Sequence, residues 1–513
     1  MKGTRKKLSQ IWEYDLKLWR ELKGWKLFLF YALHYTVLFL VLSFLVFTAF
    51  REAEKLLIWT YDEMAQQFTY MVYISKTIRN AIQSLLAGDG WTIPLYDFMK
   101  GPFRQSVQEE PLALLAVLCP WDRIDKIFSA FVLLRFYIAG LSFSVLGFYF
   151  RQRPISIMIG SVSYIFCGFT IFGGVRHPGF MGPMILLPIL IVGAEELLKD
   201  RQGFLFTAVV CISLLSGLYF ACMLAILIVL YIFVRYFCEY ARDGIRGFGQ
   251  LIARMACWGG CGILLSGVTT LPAILQNINT GRIGNKVTGL LVYPKSFYQN
   301  FLSSYTVIPY EIATWTLLGF SSLIIPALLL LFADKNRKKL SLKALYLLLT
   351  AMICSPAVAY VMSGFNALSG RWCFGYALCC AAVIMFELPL LETANRETLA
   401  FVGGGAAAYI GVCYFFTRGN YRVEPLIFLA VMLSVGAFCF YAGPKGRKII
   451  LQVCLVFACA CASYSGYLSY APSTGNYAAE FVSKGEPYSY YQTSQYGAFA
   501  RSKSAEDNSF YRV

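Results

Sequence analysis

Carboxylates that could act as a base follow the first apolar segment of the chain. Asp62 stands in DEMAQ, four residues before Gln66, a spacing that puts carboxylate and amide on one face of a helix. The neighbouring Glu63 is a competing candidate that would point to a different side. A positioned carboxylate here indicates general-base chemistry, whereas a solvated charge on a surface helix is the simpler interpretation.

Asp97, Glu109 and Glu110 are further carboxylates of the same region, in a stretch that carries glycine and proline. They could bind substrate, help to hold a divalent cation such as Mg²⁺ or Mn²⁺, or simply be solvated. The chain has two histidines, His34 and His177, which excludes a histidine-rich metal centre. Metal dependence is otherwise open.

Four cationic or proton-bearing side chains could meet a phosphate. Arg135 lies some ten residues inside an apolar segment, where a charge costs about 2.5 to 3.5 kcal/mol unless it finds a partner, a cavity or the headgroups. His177, Arg282 and Arg371 stand at the ends of apolar segments. Such residues often only anchor a helix, but together they could clamp a phosphate.

The elements that must position these residues are membrane-spanning helices. Of the 513 residues 58% are hydrophobic and 14% charged, and the mean hydropathy is +0.59. Apolar runs of about 20 residues recur along the chain, the length that a helix needs to cross a bilayer. The formal charge of +17 comes from short basic clusters between these runs, which favours membrane topology over nucleic-acid binding.

Thirteen spans are predicted, which makes the fold an all-α integral membrane protein. The predicted spans are 27–50, 126–150, 155–173, 181–197, 204–217, 219–235, 250–272, 312–332, 342–361, 372–391, 399–416, 425–442 and 449–468. The region 204–235 is one helix or two, since only Gly217 and its neighbours separate the halves. Two helices leave the clusters DKNRKKL and GPKGRK inside, as the positive-inside rule favours.

This count divides the chain into three parts. Residues 1–26 form a basic cytoplasmic amino terminus, 27–468 the polytopic domain, and 469–513 a polar extracytoplasmic tail. The first outer loop, 51–125, should contain amphipathic helices at the membrane surface. The predicted location is the plasma membrane.

The order of motifs resembles the YfhO-type bacterial membrane proteins, which belong with the GT-C class of polyprenyl-phosphate-dependent glycosyltransferases. The motifs that carry the resemblance are DEMAQ, EEPLALLAVLCP, RHPGFMGPMILLPILIVGAEELL, SGLYFACM, LPAILQNINTGR and GFNALSGRWCFGYAL. Because that family tends to continue into an extracytoplasmic domain, the tail is interpreted as the start of a truncated or missing domain.

The resemblance implies transfer of a sugar from a polyprenyl phosphate to a cell-surface polymer such as lipoteichoic acid, on the outer face. By position the catalytic base falls on Asp62. Gln66, Asp97, Arg135, His177, Arg282 and Arg371 are the predicted substrate-binding residues. The alternatives are a transporter or flippase of lipid-linked sugars and a non-catalytic scaffold. Which sugar and acceptor take part, and the oligomeric state, stay open.

Overall fold

A computed structural model of the chain places most of its residues. The described residues are 19, 21–94, 111–241, 244–279, 288–306, 315–336, 339–416, 424–441 and 443–487. The candidates Asp97, Glu109, Glu110 and Arg282 lie outside them.

Helices make up most of the described chain. In chain order they are α1 Gly24–Val46, α2 Thr48–Glu52, α3 Thr69–Ala87, α4 Ile124–Tyr149, α5 Pro154–Ile165, α6 Met181–Leu198, α7 Phe204–Leu215, α8 Leu218–Arg235, α9 Gly244–Leu265, α10 Gly267–Asn279, α11 Lys295–Ser303, α12 Ile324–Ala333, α13 Leu340–Ile353, α14 Pro356–Met362, α15 Cys373–Glu387, α16 Arg396–Phe416, α17 Glu424–Tyr441, α18 Pro444–Lys448 and α19 Ile450–Tyr470. Short 3-10 or π turns lie between several of them, including π turns over Met64–Phe68, Phe169–Gly174 and Tyr236–Tyr240.

Eight of the helices in the described part are long and apolar enough to cross a membrane: α1, α4, α6, α8, α9, α15, α16 and α19. The pair α13 and α14 passes the same test only as one span bent by 93°, and α5, α7, α12 and α17 are shorter apolar helices. Each predicted span thus contains a helix, but the total of thirteen crossings stays a prediction.

The region 204–235, which the sequence left as one helix or two, forms two helices. Gly217, between α7 and α8, has φ 130° and ψ 131°, a conformation that side-chain-bearing residues rarely adopt. The glycine therefore lets the chain reverse within a few residues and begin α8 beside α7.

Hydroxyl groups on three helices hold the bundle together near α4. Ser144 of α4 and Ser161 of α5 lie 2.9 Å apart between their oxygens, and the Tyr31 hydroxyl of α1 lies 2.9 Å from Ser144. All three side chains are buried. Such small polar residues let membrane helices approach closely while their hydrogen bonds are satisfied. They fix α4, the helix that carries Arg135.

The helix ends gather at two opposite faces. At the basic face, defined by the chain around 149–153, 195–201, 235–241, 334–336, 339–343 and 387–396, Lys339 Nζ donates to Glu387 at 2.6 Å. At the loop face, defined by the chain around 52–63, 175–180, 315–316, 363–371 and 471–483, the Leu57 N–H donates to Ser129 near the start of α4 at 3.0 Å. Since Phe28 packs on Phe148, α1 begins at the basic face.

A two-stranded sheet at the loop face joins the first loop to the tail. Strand β1, Lys55–Trp59, pairs antiparallel with β2, Phe481–Ser483, so that Trp59 lies opposite Phe481. Phe50 packs on Tyr470 and Phe481 with ring centroids 4.5 and 4.8 Å apart. The start of the tail is thus part of the helical body, and a further domain beyond it stays a prediction.

Candidate functional site

Two adjacent carboxylates follow β1 in different surroundings. Asp62 is exposed, whereas Glu63 is fully buried and its Oε2 accepts the backbone N–H of Trp59. The π turn Met64–Phe68 comes next, so the α-helical spacing assumed for Asp62 and the half-buried Gln66 does not hold there. Asp62 is open to solvent, and Glu63 stabilises the turn that carries it.

Glu480, from the tail, meets two side chains that come from distant parts of the chain. Its Oε2 accepts Trp59 Nε1 at 3.0 Å and Arg176 Nη2 at 3.0 Å. Arg176 is 2% exposed, and its guanidinium lies over the ring of Phe172 at 3.9 Å. The buried charge is therefore compensated by a carboxylate and by aromatic faces.

His177 is enclosed by three aromatic rings. Its ring centroid lies 5.2 Å from that of Trp59, 4.8 Å from Phe180 and 5.1 Å from Trp315. Burial, together with the charges of Arg371 and Arg176, lowers the pKa of His177 to about 3. The imidazole is therefore neutral at neutral pH, so that His177 would meet a phosphate as a hydrogen-bonding group and not as a cation.

Arg371 lies against the same rings. Its guanidinium carbon is 5.0 Å from the Trp315 ring centroid and 5.2 Å from that of Phe180. Among the described residues, neither Arg371 Nε nor His177 Nε2 has a hydrogen-bond partner, although both atoms are buried. Buried polar atoms without partners are costly unless a ligand or water supplies them.

Arg135 lines a cavity beside this group. The cavity has a volume of about 160 Å³ and includes Pro178 and Gly179, which directly follow His177. Arg135 is 2% exposed, and its Nη1 donates to the Phe131 carbonyl at 2.6 Å. An arginine inside the bundle beside a cavity is the arrangement expected of an intramembrane charge with a function.

A larger cavity lies in the basic-face half of the bundle. Its volume is about 490 Å³, and α4, α6 and α8 line both cavities. On α8, Leu224 lines the smaller cavity and Leu227, about one turn further, lines the larger. The two cavities therefore occupy successive depths of the same helix bundle.

The structure brings His177 and Arg371 together and puts Arg135 in the adjacent cavity, while Asp62 lies on the same face. Sequence reasoning missed Trp59, Trp315 and Glu480 as members of this group. Trp315 has φ 65°, an unusual backbone conformation for a bulky residue, which no local motif signals. No group of three potential metal ligands occurs within the described part of the chain.

Long apolar helices with loops gathered at two faces define a multi-pass membrane protein. A sequence profile of the bacterial membrane protein YfhO matches residues 109–513, and the chain belongs to that family. It is also similar to the uncharacterized protein YfhO of Bacillus subtilis (strain 168), at 24% identity over 309 residues. That match covers 58% of this chain and 33% of the relative, and no solved structure matches.

Proposed function

We propose that this protein is an inverting membrane glycosyltransferase that moves a sugar from a polyprenyl phosphate to a hydroxyl of a cell-surface polymer, with lipoteichoic acid as the acceptor class. The observation that carries the proposal is the loop face itself. It combines an exposed carboxylate, Asp62, with Arg371 and an Arg135-lined cavity at membrane depth.

The reaction needs a base on one side of the sugar and cations on the other. Asp62 takes the proton of the acceptor hydroxyl, the acceptor oxygen bonds to the anomeric carbon, and the bond from that carbon to the phosphate oxygen breaks. Polyprenyl phosphate leaves as an anion, so no second carboxylate is required as an acid. Arg371 and Arg135 stabilise the growing charge on the phosphate.

A series of side-chain contacts links these groups. Glu63 holds the backbone of Trp59, the Trp59 ring packs on His177, and His177 packs on Trp315, which contacts Arg371. A neutral His177 suits this place because its buried Nε2 can bond a hydroxyl of the sugar without adding a third charge. Whether a divalent cation assists the leaving phosphate is left open by this proposal.

The proposal places the loop face outside the cell. Basic residues crowd the opposite face, among them Arg151, Arg153, Lys199, Arg201 and Arg254, and lysine- and arginine-rich ends stay in the cytoplasm. With that orientation, α1 begins in the cytoplasm and β2 lies outside. Cysteine labelling at position 62 and at position 201 of intact cells tests this arrangement, since only the first should react.

The test uses the full chain reconstituted in vesicles. The donors are undecaprenyl phosphates that carry radiolabelled glucose, galactose or N-acetylglucosamine, and the acceptor is lipoteichoic acid. We expect label transfer with one donor, and a fall of about 10²- to 10⁴-fold for Asp62→Asn. Asp89→Asn, an exposed aspartate just after α3, is the matched control and should keep full activity.

Two results would count against the proposal in different ways. Transfer that persists at the full rate in Asp62→Asn would remove Asp62 from the mechanism and leave the activity in place. The absence of transfer with every donor would remove the activity itself.

One observation favours transport of lipid-linked sugars as a second candidate function. The two cavities lie at successive depths along α4, α6 and α8, one toward each face. A transporter would move a fluorescent undecaprenyl-phosphate sugar between vesicle leaflets without any acceptor. A transferase would form product with donor and acceptor on the same side, and leave the leaflet distribution unchanged.

A further inference from the structure

The larger cavity has the size and the lining of a binding site. At about 490 Å³ it falls within the range of roughly 300 to 1,000 Å³ that is typical of ligand pockets. Leucine, isoleucine and phenylalanine side chains from α4, α6, α8, α13 and α15 form most of its wall. Leu146, Ile191, Leu227, Leu345, Ala382 and Phe386 are among the apolar lining residues.

Polarity is confined to one end of the cavity. Arg235, Lys339 and Glu387 line it where α8 and α15 end and α13 begins, which is the basic face. Gly375 lines it at the other end of α15. The helical stretch from Gly375 to Glu387 is about 18 Å long at 1.5 Å per residue, slightly more than half of a hydrocarbon core of about 30 Å. The cavity therefore extends to the depth of one leaflet.

The cations at this end are already paired with carboxylates of the protein. Arg235 Nε donates to Glu195 at 2.7 Å, and the same guanidinium pairs with Glu239. Lys339 Nζ lies 2.6 Å from Glu387 and 2.9 Å from Asp334. An anionic headgroup would have to displace one of these carboxylates. The polar end of the cavity therefore does not favour a ligand with a net negative charge.

Glu387 is the group whose bonding is incomplete. Its side chain is fully buried, Oε2 accepts Lys339, and Oε1 has no hydrogen-bond partner among the described residues. A buried carboxylate oxygen without a donor is costly. An ammonium carries three N–H donors and a positive charge, which is what this oxygen lacks.

We propose that the cavity binds one phospholipid whose headgroup carries a primary ammonium, with an acyl chain along the leucine-rich wall and the ammonium on Glu387 Oε1. The ligand comes from the leaflet at the basic face. The proposal concerns the half of the bundle opposite Asp62, and it holds whether or not the loop face transfers sugar.

The headgroup is tested with the wild-type protein. Full-length protein in detergent is mixed with dioleoyl phosphatidylethanolamine, phosphatidylcholine or phosphatidylglycerol, and native mass spectrometry measures the bound fraction. We expect one tightly held phosphatidylethanolamine. Phosphatidylcholine, whose ammonium has no N–H, should bind about 10- to 100-fold more weakly, because it cannot make this hydrogen bond to a charged group. Equal binding of all three lipids would overturn the ammonium contact.

Variants locate the ligand within the protein. Glu387→Gln should weaken the binding of phosphatidylethanolamine about 10- to 100-fold and leave the binding of phosphatidylcholine unchanged. Ala382→Phe, which places a large side chain in the apolar part of the cavity, should weaken the binding of both lipids. Glu392→Gln is the matched control, a carboxylate of the same face that pairs with Arg153 outside the cavity, and should change neither. Tight binding of phosphatidylethanolamine to Ala382→Phe would place the lipid elsewhere and sink the proposal.

Discussion

Arg235 at the basic face and Arg371 at the loop face are compensated in opposite ways. At the basic face, arginine and lysine pair with carboxylates, as in Arg235 with Glu195 and Lys339 with Glu387. At the loop face, Arg371 rests on aromatic rings, and its Nε and His177 Nε2 have no partner among the described residues. The ion pairs stabilise the fold, whereas Arg371 and His177 keep bonding capacity for a ligand. Glu387 Oε1, at the basic face, keeps such capacity too.

The contrast separates residues that hold helices together from residues that can recognise a substrate. Substitutions in ion pairs of the basic face should act on stability in proportion to burial, since desolvated charges depend on their partners. Substitutions around His177 should act on substrate affinity or on the pH dependence. The following predictions test this division.

The largest effect is expected at the buried ion pair of the basic face. Arg235→Met leaves Glu195, which is fully buried, without its close cation, and should lower the free energy of unfolding by about 3 to 5 kcal/mol. Denaturant titration of the protein in detergent measures the change. The double variant with Glu195→Leu should recover much of the loss. Equal stability of Arg235→Met and wild type would mean that the pair contributes nothing.

Low pH should reduce the stability of the fold because of His177 at the loop face. The pKa of this histidine is about 3 in the fold and about 6.5 when unfolded, so the unfolded chain binds more protons between these values. The stability that neutral His177 contributes is complete above about pH 6.5 and is lost as the pH falls toward 3. By pH 4 the loss should be on the order of a few kcal/mol.

His177→Phe provides the comparison, because a phenyl ring fills the same aromatic enclosure and does not titrate in this range. Unfolding of both proteins is measured at pH 7 and at pH 4. We expect acidification to destabilise the wild type more than the variant. The same loss in both proteins would assign the acid effect to other groups.

A third prediction concerns the close approach that positions Trp315. A Cβ on Gly370 would come within 2.7 Å of the Thr316 Cα, so Gly370→Ala must move the backbone beside Trp315 and Arg371. We expect a loss of about 1 to 3 kcal/mol in stability, with weaker donor binding in the transfer assay. Gly411→Ala, on α16 with open space around its Cβ position, is the matched control and should be tolerated.

The sequence predicted the helices because long apolar runs leave the backbone no other way to satisfy its hydrogen bonds in lipid. The sequence left 204–235 as one helix or two, and the structure shows two helices separated at Gly217. The pairing of β1 with β2 was missed, since both strands are short and more than 400 residues apart. No local periodicity could show that two strands so far apart meet.

The candidate site was predicted in part. Sequence position identified His177, Arg371 and Arg135 as cationic or proton-bearing side chains at or inside the membrane, and the structure places the first two in one aromatic group. Glu63 was predicted to point to a different side from Asp62, and the structure buries Glu63 and exposes Asp62. The α-helical spacing predicted for Asp62 and Gln66 was wrong, because Gln66 lies within a π turn. The partner of Arg176 could not be predicted from the sequence, because Glu480 belongs to the tail and lies far from Arg176 along the chain.

The smallest effect is expected where the basic face meets solvent. Arg153 pairs with Glu392 at 2.5 Å, but its side chain is 60% exposed. Water screens such a pair and its side chains lose entropy in making it, so Arg153→Ala should change the free energy of unfolding by about 0 to 1 kcal/mol. The same denaturant titration measures it beside Arg235→Met. A loss as large as that of Arg235→Met would show that burial does not determine how much each ion pair contributes to stability. The contrast between the faces would then need another physical basis.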